Sequence, residues 1–124
     1  TYQYGRDEDD LPIRHVSPLF GSTGIMYNYK KLTAELYANY NGEISYENLA
    51  PSERDKTYMY ATDDEGNPFA PAWATLNLKA EYQVVPDLTF SMGLENILDH
   101  RYRPYSSGIA AAGRNFIFSI RGSF

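Results

Sequence analysis

Along much of this chain apolar and polar residues alternate with a period of two, the mark of a β-strand whose two faces meet different surroundings. Leu76, Leu78, Ala80, Tyr82 and Val84 alternate with Thr75, Asn77, Lys79, Glu81 and Gln83. Leu88, Phe90, Met92 and Leu94 alternate with Thr89, Ser91, Gly93 and Glu95. Phe116, Phe118, Ile120 and Phe124 share a face opposite Asn115, Ser119 and Arg121, with Ile117 as the exception. Leu32, Ala34, Leu36, Ala38 and Tyr40 form another such row, and Ile25, Tyr27 and Tyr29 a shorter one. The pattern predicts five strands, at 22–29, 32–42, 72–84, 87–96 and 113–124. Their length, roughly ten residues, is what a tilted strand needs to cross a bilayer.

The connections add a second regularity. Tyr29-Lys30-Lys31 and Val85-Pro86-Asp87 are short, and Pro with Asp suits a tight turn. The connections 43–71 and 97–112 are long and polar. Short and long connections therefore alternate, as in outer-membrane barrels with short inner turns and long outer loops. No stretch has a helical period that would cover the apolar face. The expected fold is all-β, with antiparallel up-and-down strands. Two packed sheets, as in a soluble ligand- or carbohydrate-binding β-sandwich, remain compatible with the alternation.

Composition sharpens this only in part. Twelve Tyr, six Phe and one Trp suit strands and surfaces between an apolar and a wet phase. Tyr27, Tyr29, Tyr40, Tyr82 and Phe124, near strand ends, fit interfacial girdles. No Cys is present, so disulfides and thiolate chemistry are excluded. The net charge of −5 argues against nucleic acid as a partner. No apolar run reaches the roughly 20 residues of a membrane-spanning helix, which does not speak against barrel strands.

Candidate chemistry is sparse. The acidic run Asp7, Glu8, Asp9 and Asp10 lacks the spaced ligands of a Ca²⁺ loop, and Asp63, Asp64, Glu65 and Asn67 around Gly66 lack the downstream Glu of an EF-hand. His15 and His100 are the two histidines, too few for a zinc site without carboxylates from other loops. No phosphate loop, nucleophile elbow or paired-His helix occurs. Neither a metal nor a cofactor is expected, and the chain is not expected to be an enzyme. Tyr58, Tyr60, His100 and Tyr102 are candidates for ligand contact from the loops. Glu95 and Asn96, at a strand end, are expected to start a loop, and Arg114 to bridge to Glu95 or Asp99 at the loop's base.

The segment GLENILDHRYRPYSSGIAAAGRNFIFSIRGSF, from Gly93 to Phe124, resembles the end of TonB-dependent receptors. Gly93, Leu94, Glu95, Asn96, Ile97, Leu98 and Asp99 match one family run; Arg101-Tyr102, Gly113-Arg114 and the terminal Phe124 match others. The run from Leu11 to Gly21 is similar to the start of a strand near the end of such barrels, and Trp73 to Leu78 to another strand start. Gly122 departs from the family, which usually has an apolar or aromatic residue there. The resemblance implies a C-terminal portion of a plugged transmembrane barrel of the 22-stranded class, with the plug domain absent from this stretch. It implies the outer membrane of a Gram-negative bacterium, and transport of a bulky scarce nutrient (siderophore, haem, cobalamin or glycan) energised through TonB. The implied partners are membrane lipid, the rest of the barrel and plug, TonB through the N-terminal part, and the barrel-assembly machinery, which would read Phe116, Phe118, Ile120 and Phe124. Taken alone, the chain is expected to self-associate through its sheet edges.

Overall fold

The computed structural model describes residues 1–16 and 19–123. The chain is mostly antiparallel β-sheet with little helix. Five long strands are present: β1 (Phe20–Tyr29), β2 (Leu32–Asn41), β5 (Trp73–Val85), β6 (Leu88–Glu95) and β7 (Asn115–Gly122). They form one sheet in the order β1-β2-β5-β6-β7. The connection from β2 to β5 carries two short strands, β3 (Ala61–Thr62) and β4 (Pro68–Phe69), paired as a separate hairpin. It also carries α1, a single helical turn (Pro51–Arg54) that begins on Pro, a residue tolerated at the first helical position.

Local chemistry explains the turns. Lys30 and Lys31 form a two-residue link between β1 and β2, with Lys30 in the left-handed region (φ 51°) that such turns require. Pro86 and Asp87 link β5 to β6, where Val85 pairs with Leu88 after an irregularity between Gln83 and Val85. That irregularity adds local twist at the strand end. The Gln83 N–H donates to the Lys31 carbonyl and the Asn77 side chain to the Tyr37 carbonyl. These pairs run in opposite directions along β2 and β5, so that pairing is antiparallel too.

The register sorts the side chains onto two faces. Leu78, Leu94 and Phe116 lie side by side, as do Ala80, Met92 and Phe118, and Tyr82, Phe90 and Ile120. On the other face lie Glu81, Ser91 and Ser119, and Gln83, Thr89 and Arg121. Ile117, the exception in the sequence pattern, sits on this polar face beside Gly93, which separates it from Lys79.

By contacts the chain divides into two compact units. One comprises residues 22–39, 74–101 and 112–124, and holds most of the sheet. The other comprises 1–21, 40–73 and 102–111, and gathers three loop segments. The loop unit has a small core of its own, Ile44, Leu49 and Ala70, against which Tyr60 and Tyr105 pack. Reciprocal backbone hydrogen bonds between Ile44 and Ala70 (2.9 and 3.0 Å) close the base of the β3–β4 excursion.

Candidate functional site

Both faces of β7 are open, and the sheet leaves large apolar side chains uncovered. Among the described residues of its five strands, the buried ones are Thr75 and Asn77, both polar. The large apolar side chains face solvent instead: Phe116 is 59% exposed, Phe118 64% and Ile120 72%. Ile25, Tyr27, Tyr29, Leu36, Tyr82, Phe90 and Met92 are also exposed. The rings of Phe90 and Phe118 meet at 6.4 Å, and those of Tyr27 and Tyr29 stack at 6.4 Å. A contiguous apolar surface of this kind marks a site that something else covers. Phe116, Phe118 and Ile120, singled out from the sequence, lie in this surface on β7, an edge strand; Phe124 lies outside the described residues.

The opposite face forms a groove of about 450 Å³ lined by Tyr37, Lys79, Glu81, Glu95, Ser119 and Arg121 among others. Gly93 supplies part of its floor. Two cations, two carboxylates and several hydroxyls here want water or polar partners. Only one ion pair is seen on this face among the described residues, Lys79 with Glu81 at 3.9 Å, and both ends are exposed.

The base of the β6–β7 loop is built around Asn96, which is 3% exposed. Its φ of 49° is a left-handed conformation that Asn tolerates better than most residues. Its side-chain oxygen accepts from the His100 N–H (2.9 Å), while its amide donates to the carbonyls of His100 (2.8 Å) and Ala112 (3.2 Å). Its own N–H donates to the side chain of Asn77 (2.9 Å), so two buried asparagines satisfy one another. Asp99 accepts from the Arg114 backbone N–H at 2.8 Å, and the Arg114 guanidinium donates to the Ile97 carbonyl at 2.9 Å. Arg114 thus meets Asp99 at this loop base through its backbone N–H, while its guanidinium goes to the Ile97 carbonyl and Glu95 lines the polar groove. A Cβ on Gly113 would lie 2.6 Å from Asp99 Oδ1, so only glycine leaves that carboxylate its place.

The loop unit contains a charged residue that the sequence reading passed over. Glu53, on α1, is fully buried. Its carboxylate pairs with Arg14 and with Lys56 (2.9 Å), and accepts a hydrogen bond of 2.6 Å from the Tyr60 hydroxyl. Burial raises its pKa, but the hydrogen bonds from Tyr60 and Lys56 and the charges of Arg14 and Lys56 outweigh it, holding the carboxyl at about 2. Burial and the adjacent carboxylate push the Tyr60 hydroxyl well above its ordinary value.

The loop residues proposed as ligand contacts fall in different settings. Tyr58 is 77% exposed, and its carbonyl, with that of Met59, accepts from Arg103. Tyr60 is engaged with Glu53 and packs near Tyr105, ring centroids 6.4 Å apart. Tyr102 stacks on Trp73 at 4.2 Å. His100 holds the Asn96 side chain through its backbone. Tyr58, Tyr60 and Tyr102 belong to the loop unit and His100 to the sheet unit. The acidic runs are turns: Asp7 Oδ1 accepts the N–H groups of Asp9 and Leu11, and Asp63 Oδ1 those of Glu65 and Asn67. The Asn67 backbone N–H, with that of Glu65, lowers the pKa of Asp63. Among the described residues no group of His and carboxylates is arranged to hold a metal, and no helix is long and apolar enough to cross a membrane.

Comparison with protein-family models, with curated proteins and with solved structures gives no match to this chain.

Proposed function

We propose that this chain is a C-terminal part of the barrel wall of a TonB-dependent receptor, serving active transport of a bulky scarce nutrient across the outer membrane. The observation that carries the reading is the uncovered apolar row of Phe116, Phe118 and Ile120 on one face of a sheet whose other face is polar. In water such a surface is costly, at about 25 cal/mol per Å² of apolar area left wet. In a barrel wall it meets lipid, while the face with Lys79, Glu81, Glu95 and Arg121 meets an aqueous lumen. The up-and-down strand order and the long connections between β2 and β5 and between β6 and β7 support the same reading. The receptor class, with its 22-stranded barrel, rests on the motif from Gly93 to Asp99 with Arg101-Tyr102 and Gly113-Arg114. On this reading the plug and the TonB-contacting part belong to other regions of the polypeptide, and siderophores, haem, cobalamin and glycans are the substrate classes.

The test places single cysteines at Phe90, Phe118, Ser91 and Ser119 of the receptor in outer membranes of a Gram-negative host, each carrying an environment-sensitive dye. Dyes at 90 and 118 are expected to be quenched by brominated lipid chains, those at 91 and 119 by a water-soluble quencher. Loss of TonB is expected to abolish nutrient accumulation. Equal quenching at all four positions, or a monodisperse monomer in plain buffer with 90 and 118 shielded from both quenchers, would favour a soluble β-sandwich instead.

A further inference from the structure

Three segments distant in the sequence make up the loop unit, and they meet around one carboxylate of the middle segment, the first reaching it directly through Arg14 and the third indirectly, through Tyr105 against Tyr60. Arg14, from the segment before β1, pairs with Glu53 on α1. Tyr60, past α1 in the β2–β5 connection, donates to the same carboxylate and packs with Tyr105 of the β6–β7 connection. Lys56 closes the remaining side, and Arg103 reaches from the β6–β7 connection to the carbonyls of Tyr58 and Met59. The charged and titratable groups facing Glu53 are thus Arg14, Lys56, Tyr60 and Tyr105. A fully buried carboxylate, with both cations on Oε1 and the Tyr60 hydroxyl on Oε2, is expensive to leave half-paired. The clustered core of the loop unit, Ile44, Leu49 and Ala70, comes from the middle segment alone, so Arg14 joins its segment to Glu53 by charge.

We infer that Glu53 is a latch that fastens the three loop segments into one cooperative unit, the first directly through Arg14 and the third through Tyr60 and Tyr105, so that they open together rather than one at a time. The latch works by charge and hydrogen-bond geometry more than by apolar packing. Arg14 is its detachable arm, because its side chain is 46% exposed whereas that of Glu53 is fully buried. The inference does not depend on the membrane reading, since it concerns only contacts inside the loop unit.

Hydrogen exchange of the intact chain in detergent tests it. The reporters are amides bonded within each segment: Ile13 to Gly5, Ile44 to Ala70, and Ala111 to Tyr102. Glu53→Gln is expected to speed exchange at all three by about tenfold or more, a modest share of what unpairing a buried ion can cost. Amides of β6 are expected to be unchanged. Arg14→Ala, which removes the half-exposed arm, is expected to act in the same direction at all three sites, and Arg14→Lys to restore part of the protection. Faster exchange confined to Ile44 and its neighbours would overturn the latch. So would an equal loss through β6, which would make Glu53 a determinant of the whole fold. Should Glu53→Gln fail to fold, the Arg14 pair decides, because a response at Ile13 alone would also overturn it.

Discussion

A carboxylate sealed from water survives only where donors and cations replace its hydration. Glu53 has two cations and a hydroxyl, and the consequence is a defined pH response. Its folded pKa, about 2, lies below the ordinary 4.5. The stabilisation it gives is therefore fully present above pH 4.5 and is lost as the pH falls from there through about 2. Acid titration followed by exchange at the Ile44 amide is expected to show the loop unit loosening across that window, and Glu53→Gln to flatten the response. Removing only the Tyr60 hydroxyl, with Tyr60→Phe, is expected to cost about 1.5–3 kcal/mol, the range for a hydrogen bond to a charged group. Asn96 offers a neutral counterpart: three side-chain hydrogen bonds at a buried, left-handed position. Asn96→Ala is expected to destabilise by about 2–4 kcal/mol, from orphaned buried partners and a strained φ, measured by denaturant unfolding in detergent. At this scale the sequence was only half readable. Asn96 could be picked out because its type announces a loop start. Glu53 could not, because nothing in Pro51-Ser52-Glu53-Arg54 reveals that Arg14 will reach it. Arg114 was read as half of an ion pair, yet backbone carbonyls and N–H groups, which leave no trace in residue types, took its place.

Strand pairing sets which glycines the elements need. In β1 a Cβ on Gly24 would lie 2.8 Å from the Tyr37 Cβ and 3.1 Å from the Leu36 carbonyl oxygen, both groups held by the opposite strand. At Gly93, between β5 and β7, a Cβ would meet Ile117 at 3.5 Å, an ordinary contact. Gly24→Val is therefore expected to weaken β1–β2 pairing by about 1–3 kcal/mol, as overpacking does, while Gly93→Ala stays within about 0.5–1 kcal/mol of the parent. Denaturant titration of both variants checks the contrast, and equal losses would mean that the approach at Gly24 is not limiting. The long strands were visible in the sequence because ten alternating residues form a pattern that tertiary context rarely erases. The hairpin of β3 and β4 was not, because two-residue strands carry no period; its trace is the Asp63-to-Asn67 turn chemistry alone. The single turn of α1 likewise falls below the length at which a helical period shows.

For the molecule as a whole, the two faces of the sheet give opposite predictions for one substitution made at neighbouring positions. Phe118 and Ser119 are consecutive on β7, so an arginine at either carries the same charge at nearly the same depth. They differ in what surrounds them: Phe118 lies among Met92, Ala80 and Phe90, and Ser119 lies beside Ser91 in the polar groove. If the apolar face meets lipid, Phe118→Arg is expected to lower stability in the membrane by about 2–4 kcal/mol near the bilayer midplane, falling toward zero at the interfaces. Ser119→Arg, facing water, is expected to change it by under about 1 kcal/mol. Denaturant unfolding from lipid vesicles measures both, and Phe90→Arg against Ser91→Arg repeats the comparison on β6. A sheet whose apolar face is covered by protein would also reject arginine at 118, but it would do so equally in detergent-free buffer. The lipid-dependent part of the difference is what separates a barrel wall from a packed sandwich. Alternation of residue types could reveal that the two faces differ, yet identical alternation serves both architectures. Phe116, Phe118 and Ile120 lie uncovered, and the paired arginines measure which architecture covers them.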